Sequence, residues 1–186
     1  VEDYVNKQID QMPLEKMKIP MYVVATELQN GEKTIFNYGN TGQAVRASVS
    51  IPSMFIPTKI KGKEYVDGGL VSPVPVNIAK ELGADIVIAV DILAQPVNTE
   101  TTNVWGLFNQ NINIMQNRLA AEELKNADIV IQPDLREKAH IFDVKGRQDT
   151  MQAGIDAANQ RMHDLDVVIA SKKSLETAQQ QYQVQN

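Results

Sequence analysis

The chain alternates short apolar runs with stretches of helical spacing. Val5, Ile9 and Met12 share one face of a helix read from Val1 to Met12. Pro13 and Pro20 bracket the connection that follows. Met21 to Thr26 is β-branched and nearly all apolar, as a strand buried on both faces would be. Asn30-Gly31 supplies a turn, and Thr34 to Tyr38 returns as a second strand. Thr41 to Ser48 has helical spacing, with Thr41 as its expected N-cap. Pro52 and Pro57 hold the next stretch extended. Glu64-Tyr65-Val66 then forms a short strand running into Asp67-Gly68-Gly69.

The second half repeats the alternation. Pro73 and Pro75 introduce a helix from Val76 to Leu82, ended by Gly83. Ile86 to Val90 is the clearest buried strand. A helix over Val104 to Lys125 places Phe108, Ile112, Met115 and Leu119 on one face. Asp128 to Gln132 is another strand, stopped by Pro133. A last helix over Asp149 to Ala170 aligns Met151, Ile155, Ala158, Met162 and Leu165, and Ala178 to Asn186 reads as a frayed glutamine-rich tail. Strands apolar on both faces, alternating with helices, predict an α/β fold with a mostly parallel sheet and helices on both faces. No internal repeat or linker divides the chain.

Composition narrows the chemistry. The 186 residues fit one ordinary domain, and 43% hydrophobic content suffices for a core. A net charge of -5 argues against nucleic acid as a partner. The chain has no cysteine, which removes disulfides, thiolate nucleophiles and cysteine metal sites. No apolar run reaches the length of a membrane span. The chain opens on Val1 rather than methionine, so its start is expected to be a cut and the compartment stays open. Cytoplasmic or peripherally membrane-associated placement is favoured, with periplasmic or secreted placement as the alternative.

Asp67-Gly68-Gly69 is the sharpest local feature. Two glycines after a carboxylate permit close approach of a ligand or a neighbouring strand. Taken alone, Asp-Gly is also a common turn dipeptide. The context is more specific. Arg46-Ala47-Ser48-Val49-Ser50-Ile51-Pro52-Ser53-Met54-Phe55-Ile56-Pro57 precedes Tyr65-Val66-Asp67-Gly68-Gly69-Leu70-Val71-Ser72-Pro73-Val74-Pro75-Val76. Ala79, Leu82-Gly83-Ala84-Asp85 and Val87-Ile88-Ala89-Val90-Asp91 follow in order. This series resembles the second half of bacterial patatin-like phospholipases. The resemblance is specific from Ile19 to Asp91 and looser through Ile131-Gln132-Pro133-Asp134 to the helix containing Gly154.

The resemblance implies a lipid acyl-hydrolase with a Ser-Asp dyad. In that family a serine in a G-x-S-x-G turn attacks the ester, an aspartate in an Asp-Gly-Gly motif accepts its proton, and a glycine-rich loop stabilises the oxyanion. Asp67 matches the aspartate. The chain contains neither G-x-S-x-G nor the glycine-rich loop, and Ser48, Ser50, Ser53, Ser72, Ser171 and Ser174 all lie outside such a context. Residues 1–177 are therefore read as the C-terminal part of a patatin-like domain, with 178–186 as its tail. The chain alone is expected to be inactive. The implied partners are a lipid or ester substrate, transient membrane-surface contact and the missing N-terminal portion. No metal or organic cofactor is implied. A homo-oligomer stays open, as does a non-catalytic interaction or regulatory module that keeps the fold but not the chemistry.

The other titratable groups carry plainer readings. His140 and His163 lack the oriented partners a triad needs; His140 is expected in an exposed charged loop, and His163 facing solvent or packed at the edge of the last helix. Arg46 either binds an anionic head group or braces its segment against a carboxylate, and bracing is favoured. Lys59, Lys61 and Lys63 suit a solvated hairpin edge better than a lipid-phosphate site. Asp85 and Asp91 read as capping and loop residues rather than metal ligands. An apolar patch is expected to be exposed near Tyr22 to Thr26 or Ile86 to Val90, where further chain would pack.

Overall fold

A computed structural model describes residues 1–93, 103–135 and 147–184. It divides into two units, Val1–Pro73 and Val74–Asn186. The expected His140 loop falls outside the described residues.

The first unit is built on a four-stranded sheet. Its strands are β1 (Val23–Glu27), β2 (Lys33–Phe36), β3 (Thr58–Ile60) and β4 (Lys63–Asp67), in the order β2-β1-β4-β3. Every pairing in it is antiparallel. The expected mostly parallel sheet is therefore not what these strands form. Short connections explain the difference: the turn at Asn30-Gly31 joins β1 to β2, and Lys61-Gly62 joins β3 to β4. Connections this short, residues 28–32 and 61–62, can return a strand antiparallel but cannot make a parallel crossover. The apolar character of β1 misled because a central strand is covered on both faces whatever the direction of its neighbours. Val23 through Thr26 are all buried.

Helix α1 (Glu2–Gln8) is shorter than the expected Val1 to Met12. Its buried residue is Asn6, not an apolar one. The Asn6 side chain accepts from Gly42 N–H at 2.8 Å and donates to Asn40 Oδ1 at 2.9 Å. Helix α2 (Thr41–Ser48) has the expected bounds but a different cap. Asn40, in extended backbone, accepts from Gln43 N–H, while the Thr41 hydroxyl donates to Met12 O at 2.8 Å. Small residues let α2 lie close to the sheet. Ala44 packs with Leu14 and Val23, and Ala47 packs with Ala25 and Tyr65. Phe36 closes this layer edge-on to Tyr65, with ring centroids 5.1 Å apart.

The second unit contains α3 (Val76–Glu81), β5 (Ile88–Val90), α4 (Val104–Leu124), β6 (Ile129–Ile131) and α5 (Arg147–Val184). Here β5 and β6 pair in parallel, with the segment containing α4 as the crossover. Val74, Val76, Val87, Ala89 and Ala120 form its core. Two helices depart from expectation. Helix α5 continues to Val184, so residues 178–184 extend the helix rather than fray; alanine and glutamine are good helix formers. Helix α4 turns its apolar face outward: Phe108, Met115 and Leu119 are exposed, whereas Gly106 and Ala120 are buried. Met151, Ile155 and Met162 of α5 are exposed as well.

Candidate active site

Asp67 is the last residue of β4 and the cap of the 3-10 turn Gly68–Leu70. Its main chain is held from both sides. Its N–H donates to Ser50 O at 3.0 Å, and its carbonyl accepts from Thr26 Oγ1 at 2.8 Å. The carboxylate Oδ1 accepts from Gly69 N–H at 2.6 Å. Oδ2 carries no hydrogen bond among the described residues, and none of their ion pairs involves Asp67. Burial pushes this carboxyl above the usual aspartate range, and the Gly69 N–H offsets the effect in part.

The glycines have separate tasks. Gly68 presses against the main chain of β1, and a Cβ there would collide with the Val24 carbonyl. Gly69 supplies the N–H that Asp67 Oδ1 accepts. The Gly68 carbonyl then accepts from Val71 and Ser72 N–H at 3.1 and 2.9 Å, which closes the turn. Ser50, 2% exposed, is fixed in its own right. Its hydroxyl donates to Arg46 O at 2.7 Å, which leaves Thr58 Oγ1, 3.1 Å away, as the donor to Ser50 Oγ. Thr26 and Ser50 were not singled out from sequence. Thr26 lies 41 positions from Asp67, so no local pattern links them.

The remaining residues fall into structural roles. Arg46 Nη1 lies 3.6 Å from Glu2 Oε2, which ties α2 to α1 as a brace. Lys59 sits on the edge strand β3 beside Glu64 at 3.4 Å, and Lys63 pairs with Glu27 at 2.7 Å. These ties fit a solvated hairpin edge. Asp91 accepts from Leu93 N–H and from the Gln132 side chain, and Asp85 is exposed. Among the described residues, no cluster of histidine and carboxylate side chains could hold a metal. His163 is exposed on α5. Surface hollows lie elsewhere among the described residues. One of about 570 Å³ is lined by Asn77, Lys80 and Asp128, and one of about 130 Å³ by Phe36, Tyr38 and Gln43. Neither touches Asp67.

The half-buried Asp67 carboxylate and its Gly-Gly turn lie in a segment that resembles known proteins. Residues 2–80 match the family model of patatin-like phospholipases. This segment belongs to that family. An uncharacterised NTE-family protein of Mycobacterium tuberculosis is 33% identical over 90 residues, covering 48% of this chain and 25% of that protein. A patatin-like phospholipase domain-containing protein of Caenorhabditis elegans is 28% identical over 201 residues, covering 92% of this chain and 18% of its own length. A lysophospholipase of Chaetomium globosum is 28% identical over 103 residues, covering 52% of this chain and 7% of its own. The chain thus spans a quarter or less of these relatives.

Proposed function

We propose that this chain supplies Asp67 as the base of a Ser-Asp dyad in a lipid acyl-hydrolase acting on phospholipids or lysophospholipids. One observation carries the reading: a partly desolvated carboxylate is fixed through its main chain, with no hydrogen bond to Oδ2 among the described residues. Burial raises its proton affinity, which an aspartate needs to serve as a base. A second support is the family match across residues 2–80, together with relatives named as lysophospholipases. The relative aligned over 92% of this chain favours counting residues 1–177 in one patatin-like domain.

The chemistry follows from the open oxygen. Asp67 takes the proton of a serine hydroxyl supplied by a G-x-S-x-G turn. The serine oxygen adds to the ester carbonyl. The leaving alkoxide then takes the proton from Asp67, and an acyl-serine remains. Water, deprotonated by the same carboxylate, adds to the acyl-serine and releases the fatty acid, and the proton returns to the serine. The 186 residues contain no such turn, so the chain alone has no acyl-enzyme route.

The test pairs the chain with the full-length protein on a chromogenic ester and on a lysophospholipid. The full-length protein turns over both and reacts with a serine-directed phosphonate, while the chain does neither. Covalent labelling at Ser48, Ser50, Ser53 or Ser72 would overturn the assignment. The competing reading is a non-catalytic interaction module that keeps the fold but not the chemistry, and a full-length sequence without G-x-S-x-G would decide for it.

A further inference from the structure

Thr26 is the one polar residue in the buried run Val23 to Thr26 of β1, and it is 4% exposed. Filling that space needs no hydroxyl. Valine, which stands at positions 23 and 24 of the same strand, has nearly the same shape. A buried hydroxyl costs free energy unless it is hydrogen-bonded. Thr26 Oγ1 donates to the Asp67 carbonyl at 2.8 Å, and its side chain makes no other hydrogen bond among the described residues. A polar group is thus set inside a core strand with its bond spent on the main chain of the candidate base.

We propose that Thr26 is a positioning residue for the Asp67 base, its hydroxyl locking the peptide that joins Asp67 to Gly68. The inference rests on the dyad reading above. The ring closed by the Gly69 N–H bond to Oδ1 runs through that same peptide. Two glycines follow Asp67, and glycine resists backbone rotation least. Rotation of the peptide would carry the Gly69 N–H away from Oδ1 and let the carboxylate turn. The peptide before Asp67 is clamped by Ser50 O, a main-chain atom. The peptide after it is clamped by the Thr26 hydroxyl. Misplacing a reacting group by about 1 Å costs about a hundredfold in rate, so a lock at this peptide bears on turnover.

The molecule contains a matched control. Thr41, 2% exposed, also donates to a main-chain carbonyl, Met12 O at 2.8 Å. Residue type, burial and bond length agree with those at Thr26, but this bond ties α2 to the segment after α1 and not to Asp67. A role in stability alone would make the two threonines alike in their effects. The carboxylate adds a second distinguishing mark. The Gly69 N–H favours its ionised form, so loosening that bond raises its proton affinity further. Charged side chains on the elements packed around Asp67 pair with one another: Glu27 with Lys63, Lys59 with Glu64, and Arg46 with Glu2.

The test compares variants of the full-length protein on a chromogenic ester across pH, with circular dichroism to confirm folding. Thr26→Val is expected to lower kcat about tenfold to a hundredfold with KM within about twofold, and to move the acid limb of kcat/KM to higher pH. Thr26→Ser, which keeps the donor, restores all three. Thr41→Val loses stability but keeps the wild-type kcat and acid limb. Asp67→Asn lowers turnover by itself, and Thr26→Val lowers it no further in that background. Thr26→Ala provides a second removal of the hydroxyl should the valine variant not fold. Wild-type kcat and acid limb in Thr26→Val overturn the proposal. So does a loss that Thr26→Ser fails to restore or that Thr41→Val reproduces. Unfolding of both Thr26→Val and Thr26→Ala, with Thr41→Val folded, assigns the hydroxyl to stability and overturns it too. Unchanged turnover in Asp67→Asn removes the dyad and this inference together. A crippled Asp67→Asn beside a wild-type Thr26→Val removes this inference alone.

Discussion

Two carboxylates mark the two units of this molecule, and they are held in opposite ways. Asp128, at the start of β6, receives Val87 N–H at 2.8 Å and the Lys80 ammonium at 3.1 Å on one oxygen. The Val87 N–H first, and then Lys80, hold its carboxyl below the usual aspartate range. Asp67 has one main-chain donor and no cation, and burial pushes its carboxyl up. Asp128 is therefore spent on joining β5 to β6, whereas Asp67 keeps an oxygen in reserve. Under the dyad proposed above, the pair separates a structural acid from a chemical one by what remains unsatisfied after the fold has taken its share.

The sharpest way to break this comparison is chemical. Asp67→Asn in the full-length protein is expected to lower turnover by about two to four orders of magnitude with the fold retained. Unchanged hydrolysis would remove Asp67 from the reaction. The pH profile of the wild type sharpens the same point. Turnover should fall on acidification with a midpoint above the ordinary aspartate range, because the base must be ionised.

The next largest effect is steric. Gly68→Ala is expected to cost about 3 kcal/mol or more, since the new methyl meets main chain rather than a side chain that can rotate away. Denaturant unfolding measures it, and a loss below 1 kcal/mol would mean that β1 yields easily.

Asp128→Ala should cost about 1–2 kcal/mol at neutral pH, from the lost bonds to Val87 and Lys80. A lowered carboxyl contributes stability above its unfolded pKa, and that contribution is lost as pH falls through the folded value. The gap between wild type and Asp128→Ala should therefore narrow on acidification.

Asp67→Asn should do the reverse on a smaller scale. A raised carboxyl makes the ionised folded state costly, so the amide variant should be slightly more stable at neutral pH. The gain should vanish as pH falls below the ordinary aspartate pKa, where the wild-type carboxyl is protonated whether folded or unfolded. Urea unfolding at several pH values tests both signs. A gain that persists in acid would trace to packing instead of charge.

What the sequence disclosed follows the range of the forces involved. Helix α2, the strand running into Asp67 and the stop at Gly83 are written in local spacing and turn chemistry, and the structure has them. Gly83 indeed adopts a left-handed φ of 94°. Strand direction is not local: apolar runs look alike whether neighbours run parallel or antiparallel. Periodicity also shows which residues of α4 share a face, but not which face its own unit covers. At Ile86 to Val90 the expected patch is present on one side, with Ile88 and Val90 exposed and Ala89 buried. At Tyr22 to Thr26 the exposure is confined to Tyr22, beside exposed Met21, while Val23 to Thr26 are buried. The carboxylate itself was legible as a motif. Its anchors Thr26 and Ser50 were not, because the sheet brings them together from distant positions.

The anchoring of Asp67 has an evolutionary consequence. Three of its four ties use main-chain atoms of the neighbouring segments: Ser50 O, Gly69 N–H and the Val24 main chain against Gly68. Substituting the side chain at Ser50 or Val24 leaves those atoms in the covalent chain. The aspartate's position is thereby insulated from drift in the side chains around it, and the surrounding sequence can diverge while the geometry is inherited. Thr26 is the exposed flank of this arrangement to mutation, since a hydroxyl makes that tie.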